Sequence, residues 1–350
     1  MSTALRNAAV RTAVAASIPA ARFAAFLAAF FTSRRALFLT AIPVAFFVTG
    51  CATPRFDLQG HRGARGLAPE NTLTAFSRAL DIGVATLELD IGVTRDGVVV
   101  IHHDERLNPD IARNPAGTWL TAPTPRLRDL TFAQLGQYNV GMLRPGTAYA
   151  QRYPEQAARD GERIPSLAQL FTLVQHRGDT RVRFNIETKL TPDQPDDTIG
   201  PEALVGALLG VIATHRMEAR VSIQSFDWRT LRVVQARAAQ IPTVYLSAQR
   251  PTFNTIDVKG LWTAGLLPER FTSLPAMVQA SGGAVWSPHY EDLTPALLKD
   301  AQARGLKVIP WTVNQRDDML RLIDWGVDGL ITDRPDVGAA ALGERGLRAR

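Results

Sequence analysis

Residues 61–104 read HRGARGLAPENTLTAFSRAL followed by DIGVATLELDIGVTRDGVVVIHHD. The second half resolves into two strands around a tight turn. In Ala85 to Ile91, the residues Leu87, Leu89 and Ile91 share one face and Glu88 and Asp90 share the other, because side chains alternate along a strand. Asp96-Gly97 between apolar runs is a hairpin signal, so Val98 to His103 is expected to fold back and return His103 to the level of the two carboxylates. In the first half, Leu58 to Gly60 is a short strand that opens onto His61. Asn71 is expected to cap a helix whose stripe is Leu73, Phe76 and Leu80, with Gly83 ending it. Charge this dense in apolar strand sequence is costly unless the groups share a task. The stretch therefore marks a site and not a core.

Working outward, strands and helices alternate. Ser166 to His176 reads as a helix and Val182 to Lys189 as a strand, followed by a helix over Pro201 to Arg216 with proline at its start. Strands over Val221 to Phe226, Thr243 to Ser247, Ala284 to Ser287, Lys307 to Val313 and Gly329 to Thr332 then alternate with helices over Trp228 to Gln240, Pro268 to Ala280, Thr294 to Arg304 and Gln315 to Trp325. Setting the returning hairpin arm aside, this order points to an α/β (β/α)8 TIM barrel, which carries its catalytic groups at the C-terminal ends of strands. A doubly wound open sheet is the alternative, but neither GxGxxG nor GxxxxGK[ST] occurs. Residues 105–165 are rich in proline and arginine and weakly periodic, with one short helical piece around Leu130 to Tyr138. They are expected to form a cap over the site. The barrel is expected over 57–340, with a tail at 341–350.

At 350 residues the chain can bury a barrel-sized core. Its formal charge of +6 comes almost wholly from Arg6, Arg11, Arg22, Arg34 and Arg35 in residues 1–50, which hold no acid. The folded part is near neutral, so no nucleic-acid partner is expected. Arg34-Arg35 precede an apolar run of ~15 residues to Gly50, the pattern of an export signal over 1–50. The ending Val48-Thr49-Gly50-Cys51 resembles the lipobox of bacterial lipoproteins. Cys51 is the sole cysteine and has no partner for a disulfide within the chain. It is expected to be lipidated, holding the protein to a membrane of the bacterial envelope, facing the periplasm, through a tether at 51–56. An uncleaved membrane anchor is the alternative. Residues 1–33 are long for the start of a signal, and no feature sets an oligomeric state.

In Arg183 to Lys189, the residues Asn185, Glu187 and Lys189 share one face. Inside a barrel that set calls for a neutralising metal or anion. Glu88, Asp90 and Glu187 offer only oxygen, which suits Ca2+ or Mg2+ better than zinc. The alternative is a salt-bridge web with Arg62 and Lys189. His61 and His103 fall at strand ends and suit proton transfer at neutral pH. His102 points away by parity, and His176, His215 and His289 carry no motif.

The blocks HRGARGLAPENTLTAF, ELDIGVTRDGVVVIHHDERL, IPSLAQLF, NIETK, QSFDW, PWTVN and DGLITDRPD, running from Leu58 to Pro335, resemble the successive motifs of glycerophosphodiester phosphodiesterases. The resemblance implies metal-dependent cleavage of a small phosphodiester to sn-glycerol 3-phosphate and an alcohol. It implies His61 and His103 as the acid–base pair, Arg62 and Lys189 as phosphate ligands, and Glu88, Asp90 and Glu187 as metal ligands. Glu70, Ser225, Phe226 and Trp311 with Asn314 match further blocks, as candidates for the substrate pocket. A lysophospholipase D on the same barrel and a non-catalytic envelope binding protein are the alternatives.

Overall fold

The computed structural model describes residues 55–349. The export segment, Cys51 and most of the tether lie outside the described residues. Among the described residues, eight parallel strands form the barrel: β1 (Asp57–Gly60), β2 (Thr86–Val93), β3 (Arg183–Thr188), β4 (Val221–Ser225), β5 (Thr243–Ser247), β6 (Val285–Pro288), β7 (Lys307–Val308) and β8 (Gly329–Thr332). Their order is β7-β6-β5-β4-β3-β2-β1-β8. Backbone bonds from Asp328 N to Val308 O (3.0 Å), Ile331 N to Pro310 O (3.0 Å) and Val313 N to Ile331 O (2.9 Å) join the two ends. The expected strand over Lys307 to Val313 is thus laddered only at its start. Pro310 cannot donate, and the closing bonds fall irregularly around it.

A helix follows each strand: α1 (Leu73–Ile82), α2 (Leu167–His176), α3 (Pro201–His215), α4 (Trp228–Arg237), α5 (Leu274–Ala280), α6 (Pro295–Ala303), α7 (Arg316–Trp325) and α8 (Pro335–Glu344). Helix α1 is capped by Thr72, whose hydroxyl accepts from Ala75 N, and not by Asn71. Gly83 ends it in the left-handed region at φ 92°, which costs glycine no Cβ clash. Its buried stripe is Ala75, Phe76, Ala79 and Leu80. The expected helix over Pro268 to Ala280 begins only at Leu274, after a 3-10 turn at Pro268–Arg270. Helix α8 runs past the expected boundary at 340, with Ala341 and Leu342 buried, and Phe56 N donates to Arg348 O. Among the described residues, no helix is long and apolar enough to cross a membrane.

Parity divides the core. The outward residues Leu87, Leu89 and Ile91 are fully buried against the helices, each contributing roughly 1.5–3 kcal/mol. Inside the barrel, Val244, Val285, Ile309 and Ile331 pack as one apolar cluster supplied by β5 to β8. The opposite half of the interior, from β1 to β4, is polar: Gln59, Glu88, Asn185 and Gln224 are all buried.

The arm Val99–Ile101 returns antiparallel to β2, with Ile91 opposite Ile101, and Gly97 turns the hairpin at φ 81°. Residues 105–165 then build a satellite core in which Leu107, Ala112, Leu127, Leu135, Val140 and Ile164 pack with Val100 of the arm. The expected helix within them shrinks to one turn, Phe132–Leu135.

Candidate active site

The C-terminal ends of β1, β2, β3 and β8 converge on one cavity of about 130 Å³. Immediately after β1, Arg62 (φ 51°) and Gly63 (φ 85°) take left-handed backbone, as does Asn71 (φ 55°). Such a conformation costs a non-glycine residue ~1–2 kcal/mol, so it must be held in place. Arg62 N donates to Glu88 Oε2 at 2.8 Å, and its guanidinium donates to Glu70 Oε1 at 2.7 Å. Asn71 N donates to Arg62 O, and its side chain donates to Asp90 Oδ2 at 2.9 Å. The residue expected as a cap therefore serves the site instead.

Strand register assembles the carboxylates. Asp90 is the ladder partner of Glu187, and Glu88 that of Asn185. One oxygen from each of Glu88, Asp90 and Glu187 lies within 4.8 Å of the other two, and all three residues are buried. The expected salt bridges form as well: Arg62 Nε lies 3.2 Å from Asp90, and Lys189 Nζ lies 2.8 Å from Glu187. They do not balance the site, because with Glu70 four carboxylates face these two cations. Burial, then Asp90 and Glu187, push the Glu88 carboxyl well above its ordinary range. Burial and Asp90, against the pull of Lys189, raise Glu187 to about 7. For Asp90 burial is overcome by Arg62, which holds it well below the usual carboxylate range. Asp90 Oδ1 is buried and accepts no hydrogen bond. A hard divalent cation fits this set, since it needs oxygen donors and an excess of negative charge.

Both histidines present clamped rings. His61 Nδ1 lies 2.6 Å from Asp333 Oδ1, and its Nε2 lies 3.9 Å from Glu88 Oε2. His103 Nδ1 lies 2.6 Å from Asp104 Oδ1, and its Nε2 lies 3.1 Å from Lys189 Nζ. Burial, then Arg65, lower His61 to about 4; burial, then Arg62 and Lys189, lower His103 to about 4. His102 turns away toward Arg106 O.

Phe226 and Trp311 line the cavity, packed edge-on at 5.1 Å. Glu70 is buried behind Arg62. Ser225 does not reach the site. It sits between Gln224 and Phe226 on the outer face, and its hydroxyl donates to Thr188 O (3.0 Å) and accepts from Asp227 N (3.1 Å). Residues 105–165 supply no residue to the cavity lining. They touch the site through Tyr149, which donates to Glu70, and through Tyr153, whose ring lies 4.7 Å from the Arg65 guanidinium. A larger hollow of about 640 Å³ opens at the other end of the barrel, away from the carboxylate cluster.

Sequence reasoning missed Asp333, Arg65 and Gln224. Asp333 holds His61 and accepts from Arg65 Nε (2.8 Å) and Asn314 Nδ2 (2.7 Å). Its signal was available: it lies two residues beyond the inward-facing Ile331, at the end of β8.

Residues 61–337 match the family model of the glycerophosphoryl diester phosphodiesterase family. A glycerophosphodiester phosphodiesterase of Caldanaerobacter subterraneus subsp. tengcongensis is 30% identical over 276 residues, covering 79% of this chain and 93% of its own. One from Bacillus subtilis is 30% identical over 282 residues, covering 79% and 83%. Among solved structures, a Silicibacter pomeroyi protein assigned as a glycerophosphoryl diester phosphodiesterase superposes with a TM-score of 0.77 at 36% identity, covering 85% of this chain and 96% of that one.

Proposed function

The chain belongs to the glycerophosphoryl diester phosphodiesterase family and is a phosphoric diester hydrolase; on that premise we propose that it cleaves glycerophosphodiesters such as glycerophosphocholine and glycerophosphoethanolamine to sn-glycerol 3-phosphate and an alcohol, with a divalent cation, Ca2+ or Mg2+, and with His61 and His103 as the acid–base pair. The observation that carries this reading is the pairing of two carboxylate-clamped imidazoles with a buried carboxylate triad in one cavity.

Glu88, Asp90 and Glu187 would hold the cation, whose chemistry there would be to draw charge off the phosphodiester. Arg62 and Lys189 take phosphate oxygens. With both Nδ1 atoms committed to aspartates, proton traffic falls to the two Nε2 atoms: one takes the nucleophile's proton and the other gives one to the departing alcohol oxygen. Lys189 and Arg62 oppose protonation of His103. An anionic phosphate drawn onto them offsets that opposition, so binding itself favours the acid form.

A second reading, a lysophospholipase D, has one observation in its favour. From Phe226 an aromatic strip continues to Phe253 (5.0 Å) and Trp262 (6.1 Å), and Phe253 is 38% exposed. This apolar ramp is built by 226–262 and not by the cap. Export and lipid attachment at Cys51 belong to the proposal through residues 34–51 alone.

The test is glycerol 3-phosphate release from glycerophosphocholine, compared with choline release from lysophosphatidylcholine, with and without chelator, for wild type and His61→Ala. Activity indifferent to both chelator and substitution would overturn the mechanism. Faster turnover of the lysolipid would favour the second reading. Membrane partition unchanged in Cys51→Ser would remove the lipid anchor.

A further inference from the structure

The polar half of the barrel interior holds three amides that this chemistry leaves unused. Gln59, Asn185 and Gln224 come from β1, β3 and β4 and are at most 2% exposed. Buried amides are costly unless each donor and acceptor is matched. Gln224 Nε2 donates to Glu88 Oε1 at 2.6 Å. Gln224 Oε1 accepts from Asn185 Nδ2 at 2.8 Å, and the same nitrogen donates to Gln59 Oε1 at 2.9 Å. Asn185 Oδ1 accepts from the Ser222 hydroxyl at 2.9 Å, and Gln59 Nε2 donates to Asp57 Oδ2 at 3.1 Å.

The matching has one polarity. Both ends of the column are carboxylates, Asp57 and Glu88, and a Glu88 ionised against its cation accepts and does not donate. Each flanking glutamine must therefore offer its NH2 outward and its oxygen inward. Asn185 then gives one hydrogen to each, and its oxygen is left for the Ser222 hydroxyl. Turning Gln224 over would set its carbonyl against Glu88 and its NH2 against that of Asn185, losing two buried bonds.

We infer that Gln224 is the positioning residue that fixes Glu88 for the cation, and that Asn185 sets the orientation of Gln224. This inference rests on the divalent-cation reading above. Glu88 Oε1 takes the Gln224 amide and Oε2 takes the Arg62 N–H, so the carboxylate is held at both oxygens while each keeps a lone pair free. Asn185 stands level with Glu88 on the neighbouring strand but bonds to Gln59, Gln224 and Ser222, so its hydrogen-bonded path to Glu88 passes through Gln224.

The test titrates the chelator-stripped full chain with Ca2+ and with Mg2+ by calorimetry and records its melting temperature without cation. Gln224→Met removes the donor with little change of shape, and Asn185→Leu removes the orienting amide. Gln224→Met is expected to bind its cation roughly 10–100-fold more weakly. Asn185→Leu loses no more than that. The double variant is no weaker than Gln224→Met alone, because both act through one bond. Affinity losses are not tracked by the cation-free melting temperatures. Wild-type affinity in Gln224→Met, or losses that multiply in the double variant, would overturn the inference. If Gln224→Met does not fold, Gln224→Asn, one carbon too short to span Asn185 and Glu88, is read the same way. Wild type that binds neither cation removes the cation reading and this inference with it; wild type that binds beside unaffected variants removes this inference alone.

Discussion

Asp90 on β2 and Glu187 on β3 are ladder partners across a parallel strand pair, so two like-charged side chains stand level on the inner face of the barrel. A sheet tolerates such a pair poorly unless something positive lies between the carboxylates. Replacing one of them with its amide should separate two effects. Glu187→Gln is expected to leave the cation-free protein as stable as wild type or more so, while the rise in melting temperature on adding Ca2+ or Mg2+ shrinks or vanishes. Calorimetric melting with and without cation checks both. A variant that loses cation-free stability and keeps the full cation response would contradict the assignment.

Cation binding should tighten with pH. In the cation-free protein Glu88 is pushed well up, and Glu187 is raised to about 7. A proton held on either carboxyl competes with the ion, so affinity falls as pH drops through about 7. Titration in two buffers of different ionisation enthalpy should show protons released on binding near neutrality. No proton release there would count against these carboxyls as the ligands.

Asp333→Asn should damage turnover far more than binding. Asp333 accepts from Arg65 and Asn314 and pairs with Nδ1 of His61, so it sets which ring nitrogen faces the cavity. Loss of that carboxylate should lower kcat by about 10²–10⁴-fold with a much smaller change in KM, by the logic of a misoriented histidine. Steady-state kinetics on glycerophosphocholine decide it.

Ser225 and its neighbour Phe226 should respond oppositely. The Ser225 hydroxyl bonds Thr188 O and Asp227 N behind the strand. Ser225→Ala should cost ~1–2 kcal/mol of stability in a denaturant melt and leave kcat/KM near wild type. Phe226→Ala should instead raise KM, most strongly for substrates with apolar tails.

Gly63→Ala should be among the most damaging small changes in the chain. The position has φ 85°, and an added Cβ would lie 2.6 Å from Ala75 C in the first turn of α1. Left-handed strain and overlap with backbone together predict a loss of roughly 2–4 kcal/mol, visible as a large fall in melting temperature.

What the amino-acid order made legible follows from periodicity. Alternation by two placed Glu88, Asp90, Asn185, Glu187 and Lys189 inside the barrel, and the strand–helix alternation identified the barrel itself. The failures have physical causes. Asn71 is a good cap residue followed by another, Thr72, and only the left-handed backbone at Asn71 shows which one caps. Ser225 belongs to a family block, but Ile223 on the same strand already marks its parity as outward. Arg65 lies in a turn and Tyr149 in a one-turn helix, Ala148–Gln151, too short for a repeat to report which way a side chain points. Asp333 lay one residue past the strand as read, just where alternation would have named it.

The described chain begins at the floor of the barrel, where Arg55 and Asp57 lie among the N-terminal residues of the strands, whereas His61 stands at the far end of β1. The lipid attachment proposed at Cys51 would leave three residues before Arg55, a reach of at most ~14 Å. With the proposed anchor in place, the floor would be turned to the bilayer and the mouth would open toward water. An enzyme so tethered would meet dissolved diesters more readily than the lipids beneath its blind side, a preference that the comparison of glycerophosphocholine with lysophosphatidylcholine decides.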